Sequence, residues 1–261
     1  MSTNGGFYWN ELVTPDQKKG GDFYCSLLGW SRRPIDAGPF GTYTLFTLHG
    51  DDVAGMMNPT SDYSRNRPSW WSAYVAVNDV DASAEQAIKL GGTIVEPVTD
   101  IAEVGRACMV ADPEGAVVCL ITPIPTSLGG GEPKLPLHGT FVWNYLITAN
   151  QHKTGEFYSG LLGWQSREMD AGPFGIYKVF ESSGVDVAGM MNPTIEYTRS
   201  RTSQWYAYIA VDDVDACASR SAQLGGKVIE PPHDVPGWGR VCLIVDPVSA
   251  PVTLVKLASR S

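Results

Sequence analysis

The strand-like run FYWNELV alternates so that Trp9, Glu11 and Val13 share one side, which sets a carboxylate two residues from an indole. A carboxyl group among aromatic side chains is desolvated, its pKa rises, and general acid or base work becomes accessible to it. The same Glu11 can equally pair with an arginine and only hold the protein together. Arg106 in EVGRA and Arg240 in GWGRV each precede a strand and have the geometry to bind a carboxylate or phenolate bidentately. Each can also clamp a nearby aspartate, Asp100 or Asp234. In WSAYVAV and WYAYIAV, the odd spacing of Trp71 from Tyr74 and of Trp205 from Tyr208 turns the rings to opposite sides, one toward a core and one toward a ligand face.

Other reactive residue types carry less. The four histidines, at 49, 138, 152 and 233, share no HxH or HxxxH spacing and read as solvated, although His233 abuts the Pro-rich phrase PPHDVPGWGR. The five cysteines lack CxxC spacing and have no cationic neighbour in sequence, so they read as small apolar residues in a reducing compartment. The GPFG turns at 38–41 and 172–175 lack the lysine and helix that follow a phosphate loop.

What must position these groups is a chain written twice. Adding 134 to a residue number carries Trp9 onto Trp143, Trp30 onto Trp164, Asp81 onto Asp215 and Asp112 onto Asp246, and DAGPFG, AGMMNPT and LLGW recur verbatim. The period is domain-sized, far beyond that of a solenoid. Within each half, helical spacing over Gln17 to Leu28 (stopped by Gly29) and over Ala82 to Leu90 (stopped by Gly91-Gly92) separates strand-like runs. Those runs fall near Tyr8–Thr14, Gly29–Arg33, Thr42–Leu48, Asp52–Met57, Trp71–Val77, Thr93–Glu96, Ala107–Ala111 and Val117–Ile121, with a polar Arg/Ser loop over Thr60–Ser69 and a turn at Asp112-Pro113-Glu114-Gly115. Each half therefore reads as βαβββ twice. The expected organisation is a first domain over 1–125, a Gly/Pro linker over 126–139 and a second domain over 140–261.

Composition narrows the function classes. Apolar residues make up 43% and charged residues 18%, a folded globular balance, and a formal charge of −9 argues against a nucleic-acid partner, which needs a clustered Lys/Arg footprint. No apolar run approaches the ~18 residues of a membrane span and the start carries no basic-then-apolar leader pattern, so no membrane association and a cytoplasmic location are expected.

TPDQKKGGDFYCSLLGW, VNDVDASAEQAIKLGG and VADPEGAVVCL resemble the vicinal oxygen chelate superfamily of glyoxalase I, bleomycin-resistance proteins and extradiol dioxygenases. The likeness covers both halves and is nearest to tandem two-domain members of glyoxalase-like or hydroxylase-like type. It implies an α+β protein of four βαβββ modules, two tandem domains whose mixed sheets curl into cups, and a small-molecule or metal site on each inner face. In that family metal ligands sit on the first and last strand of each module. The resemblance puts Trp9 and Trp143 at the first-strand position, Ser72 and Tyr206 at the second-module position, Cys119 and Thr253 at the last-strand position, and only Ala and Gly from the AGMM strands at the remaining one. None offers the N/O donor set a divalent ion needs, so no metal and no cofactor are expected.

If Trp9 takes the ligand position, its strand face points inward with Glu11, and Trp143 and Tyr145 do the same in the second half. The expected reading is a metal-independent binder of a hydrophobic or aromatic metabolite or antibiotic, lined by Trp9, Trp143, Tyr145, Trp71, Trp205, Tyr74, Tyr208, Arg106 and Arg240. The alternatives are a lyase, isomerase or hydroxylase-like enzyme using Glu11 as its acid or base, a metal enzyme with a non-standard site, or a relative that has lost activity. Whether the protein is an enzyme stays open at this point, as does any assembly beyond an internal pseudo-dimer.

Overall fold

The computed structural model describes residues 4–124 and 137–258, so of the expected linker the stretch 126–136 lies outside the described residues. The first half runs β1 (Phe7–Val13), α1 (Gln17–Leu28), β2 (Ser31–Asp36), β3 (Thr42–Leu48), β4 (Asp51–Met57), α2 (Asp62–Arg65), β5 (Trp70–Ala76), α3 (Val80–Lys89), β6 (Thr93–Ile101), β7 (Gly105–Ala111) and β8 (Val117–Pro123). The second repeats it as β9 (Phe141–Ile147), α4 (Gln151–Leu162), β10 (Gln165–Asp170), β11 (Ile176–Ser182), β12 (Val185–Met191), α5 (Glu196–Arg199), β13 (Gln204–Ala210), α6 (Val214–Gln223), β14 (Lys227–Val235), β15 (Gly239–Val245) and β16 (Pro251–Leu257). No described helix is long and apolar enough to cross a membrane.

Local chemistry sets the boundaries. Asp16 caps α1 by accepting the Lys19 N–H at 2.9 Å, and Gly29 ends it with a left-handed backbone (φ 72°) that a side chain would strain. That cap occupies the place where the sequence suggested strand, and β2 begins only at Ser31. The polar Arg/Ser loop holds the one-turn helix α2, closed by reciprocal Ser61–Ser64 hydrogen bonds. β6 continues past Pro97 to Ile101 by shifting register against β7 between Glu96 and Thr99, as a bulge permits. β14 does the same past Pro231-Pro232, so His233 lies in a strand and not in the loop expected for it.

Each half contributes one eight-stranded mixed sheet, in the orders β2-β3-β4-β1-β5-β8-β7-β6 and β10-β11-β12-β9-β13-β16-β15-β14. In both, the first strand of a module pairs parallel with its last: β1 with β4, β5 with β8, β9 with β12, and β13 with β16. This α+β arrangement of four βαβββ modules is the one anticipated.

The compact units follow a different division. One compact unit gathers the segment ending at Trp9, the segment beginning at Ser72 and Trp143–Tyr206; the other gathers Asn10–Trp71, the segment ending at Val142 and the segment beginning at Ala207. Each unit thus takes most of one helix-bearing module from each half, the divisions falling within β1, β5, β9 and β13. In the second, Leu12, Phe23, Tyr24, Leu28 and Phe46 pack with Ile209, Val214, Ile244 and Leu254 in a single core. In the first, Val75, Val80, Val110 and Leu120 pack with Leu146, Phe157, Tyr158 and Phe180.

A buried polar relay joins the modules inside each unit. Asp246, in the turn before β16, accepts hydrogen bonds from the Val248 and Ala250 N–H groups and from the Tyr24 hydroxyl at 3.0 Å; that hydroxyl in turn accepts the Trp71 indole N–H at 2.7 Å. The counterpart places Asp112 under the Glu114 and Ala116 N–H groups, with Trp205 donating to Tyr158 at 2.8 Å. Here Tyr158 is near enough to lower the Asp112 pKa, but Asp112 Oδ2 is buried without an aligned donor, so this contact is looser than its twin.

Burial, the largest influence, pushes both aspartates up to about 6, against the hydrogen bonds that pull them down. The folded chain therefore binds protons more tightly than the unfolded one between about pH 4 and 6, and stability falls as pH rises through that window. In thermal melts from pH 4 to 6, the wild type is expected to lose stability relative to the D112N D246N double variant. Equal slopes for the two proteins would remove the aspartates as the source.

Candidate functional site

On the second sheet, in the unit that holds Trp143–Tyr206, β9 contributes to two aromatic pairs. Tyr145 is 5% exposed, and its ring centroid lies 5.4 Å from that of Tyr206, 1% exposed on β13. Trp143 donates its indole N–H to the Tyr177 hydroxyl at 3.0 Å. Tyr177 lies against Gly189, which is in register with Tyr145, and a Cβ built on Gly189 would overlap the Tyr177 hydroxyl. Glycine is required here because the ring needs the space, not because of backbone conformation. Burial raises the pKa of both Tyr177 and Tyr206. For Tyr206 the neighbouring Tyr197 adds to that rise and Arg201 opposes it.

The first half differs residue by residue on the same scaffold. Glu11 stands on β1 where the second half has Tyr145, in register with Gly55, and is 3% exposed. Ser72 replaces Tyr206, and its hydroxyl lies 3.4 Å from the Cys119 sulfur. Burial leaves Cys108 and Cys242 with pKa values of about 12, which suits inert thiols.

Several residues expected at a site have structural roles. Trp71 and Trp205 are buried in the two cores, donating to Tyr24 and Tyr158 and packed edge-on against them, so they are withdrawn from the ligand-facing set. Tyr74 and Tyr208, on the opposite strand face, are only half-buried, and Tyr208 lies 6.2 Å from Trp238. Trp9 is half-buried at the start of β1. Arg106 grips Asp81 on α3 through Nε at 2.7 Å and Nη2 at 2.9 Å, and Asp100 on β6 at 2.8 Å. Arg240 grips Asp215 and Asp234 in the same way. With two carboxylates each, these guanidiniums are helix-to-strand clamps, and Asp81 and Asp215 are partners the sequence did not suggest. Tyr177 went unremarked in the sequence, although its identity with Tyr43 across the repeat was a signal.

The chain matches the family described as the Glyoxalase/Bleomycin resistance protein/Dioxygenase superfamily over residues 7–120 and again over 140–249. It belongs to that superfamily. Among full-length relatives, the provisionally named glyoxylase CFP32 of Mycobacterium tuberculosis is 33% identical over 252 residues, covering 96% of this chain and 94% of the relative. The anthracycline biosynthesis protein DnrV of Streptomyces peucetius is 28% identical over 271 residues, covering 95% and 92%. Similar solved folds include the 2,3-dioxygenase LapB of Pseudomonas sp. KL28 (TM-score 0.65, 13% identity, 97% of this chain and 93% of that one) and the Mn(II)-bound glyoxalase of Novosphingobium aromaticivorans (TM-score 0.63, 14% identity, 100% and 87%).

Metal-dependent members are expected to present converging N/O donors, and the residues here do not fit a divalent ion of that kind. Trp, Ser, Tyr, Cys and Thr side chains stand at the positions the likeness assigns to ligands, and among the described residues no three His, Cys, Asp or Glu side chains converge.

Gly189→Ala must displace Tyr177 and break its bond from Trp143, at an expected cost of about 1–3 kcal/mol in denaturant unfolding. The cost should shrink when Tyr177→Ala is present. An undiminished cost would mean that Tyr177 does not rest on Gly189.

Proposed function

We propose that this superfamily member binds a hydrophobic or aromatic small molecule without a metal centre of the family type, and that the first half carries the working site. The observation behind this reading is the contrast between the halves on one strand: Tyr145 of β9 packs ring to ring with Tyr206, while β1 has Glu11 where β9 has Tyr145. Stacking and apolar burial are then the main sources of affinity, with few polar groups fixing orientation. A relative named for anthracycline biosynthesis supports a fused aromatic ring system as the ligand class to test first.

Glu11 supports an acid–base reading beside simple binding, because a carboxyl group 3% exposed is placed to exchange a proton with a bound molecule instead of with water.

Three outcomes check this. Chelator-washed protein is expected to retain no tightly held Mn, Fe, Ni or Zn by mass spectrometry; one equivalent per half would overturn the metal-free reading. The neutral aromatic probe 1-hydroxy-2-naphthamide should bind in calorimetry, and Trp9→Ala should weaken it by about three- to tenfold through lost stacking; full affinity in the variant would count against Trp9 as a contact. Glu11→Gln should leave probe binding in place, and abolition of a turnover seen in the wild type would assign Glu11 a chemical role.

A further inference from the structure

β14 is an edge strand of the second sheet and is bulged at Pro231-Pro232. Glu230 is in register with Leu243 and His233 with Val241, so a step of three residues on β14 spans a step of two on β15. At that separation on a regular strand the two side chains would point to opposite sides; the extra residue returns both to one side. It is the side that Thr253 and Tyr208 share, since Leu243 pairs with Thr253 and Thr253 with Tyr208. Cys242, Ile244 and Leu254 enter the core from the other side. All of these residues belong to the part of one compact unit that begins at Ala207.

His233 Nδ1 lies 3.0 Å from the Pro231 carbonyl oxygen, and because a carbonyl only accepts, this nitrogen carries the proton. The other nitrogen, Nε2, faces Glu230 Oε1 at 3.7 Å. Both side chains are half-buried, and burial pushes the Glu230 carboxyl up while His233 pulls it down. The first half shows what the bulge itself requires. Thr99 stands at the position of His233, and its hydroxyl donates to the Pro97 carbonyl at 3.0 Å, the bond that Nδ1 makes in the second half. A threonine is thus enough to close the bulge; the imidazole keeps that bond and adds a second nitrogen turned to a carboxylate.

A ring N–H anchored on a backbone carbonyl is the way a metal-binding imidazole is oriented, with its opposite nitrogen toward the ion. The gap from Nε2 to Glu230 is too long for a hydrogen bond. Bonds of about 2.0–2.2 Å from one ion to both atoms would span it at an angle somewhat wider than tetrahedral. Other histidine–carboxylate pairs among the described residues lack this arrangement: His138 uses Nδ1 to accept the Asp212 N–H, and His152 with Glu156 is exposed on α4.

We propose that Glu230 and His233 form an exchangeable binding site for a divalent first-row transition ion such as zinc, outside the positions that the family uses. Two protein donors leave the remaining coordination positions to water, so the ion is held loosely and leaves in a chelator wash. The site does not depend on the aromatic-ligand reading.

The test is calorimetric titration of the chelator-washed full chain with zinc chloride, in which one ion per chain is expected to bind. His233→Thr installs the first half's own residue and keeps the bulge bond. It should weaken zinc binding at least about tenfold while leaving the melting temperature of the metal-free protein unchanged. Glu230→Gln should weaken binding as well, whereas His138→Asn and His152→Asn should not alter it. Absence of zinc binding by the wild type, affinity that survives His233→Thr, or an equal loss in His138→Asn or His152→Asn overturns the assignment.

Discussion

A carboxylate taken out of water must be given donors, and Asp246 finds them in two backbone N–H groups of its own turn and in a tyrosine 222 residues earlier in the chain. That requirement ties the last turn of the second half to the first helix of the first half. Tyr24 also orients the Trp71 indole, against which Trp30 and Phe141 pack, with Phe46 on the far side of the contact to Trp30 and Tyr24. With Asp112, Tyr158 and Trp205 repeating the pattern, each core is assembled from one module of each half around a buried acid. The packing units therefore cut across the sequence repeat, while the sheets follow it.

The same scaffold then carries two different surfaces. Residues that build the relays and the Arg–Asp clamps are kept in both copies, whereas Glu11 against Tyr145 and Ser72 against Tyr206 are exchanged. One face is occupied by tyrosines held against a glycine. In the first half an acid, Glu11, and a small residue, Ser72, stand at the matching positions. At these exchanged positions the halves differ in side-chain volume and charge while sharing one order of elements.

Most of the fold was legible because its signals are local or periodic. Asp16, Gly29 and the alternating strands mark element ends and faces within a few residues, and the offset between Trp9 and Trp143 marks the duplication. The interleaved cores were not legible, since a contact between Tyr24 and Asp246 leaves no trace in the spacing of either segment. Alternation put Trp71 and Tyr74 on opposite faces without saying which face was core; burial and the Tyr24 hydroxyl decide it. The Trp, Ser, Tyr, Cys and Thr residues at the positions that the family likeness assigns to ligands were readable from side-chain types alone.

The interleaving of modules also bears on how the two faces were free to diverge. Were the copies separate identical chains meeting as a symmetric pair, every substitution would appear twice, and a tyrosine that filled one face would fill the other. Within one polypeptide the encounter is no longer concentration-dependent, and the symmetry that would force both faces to change together is gone. One copy can then accumulate side chains that close its surface and stiffen the scaffold, while the other is left to vary under selection for what it holds.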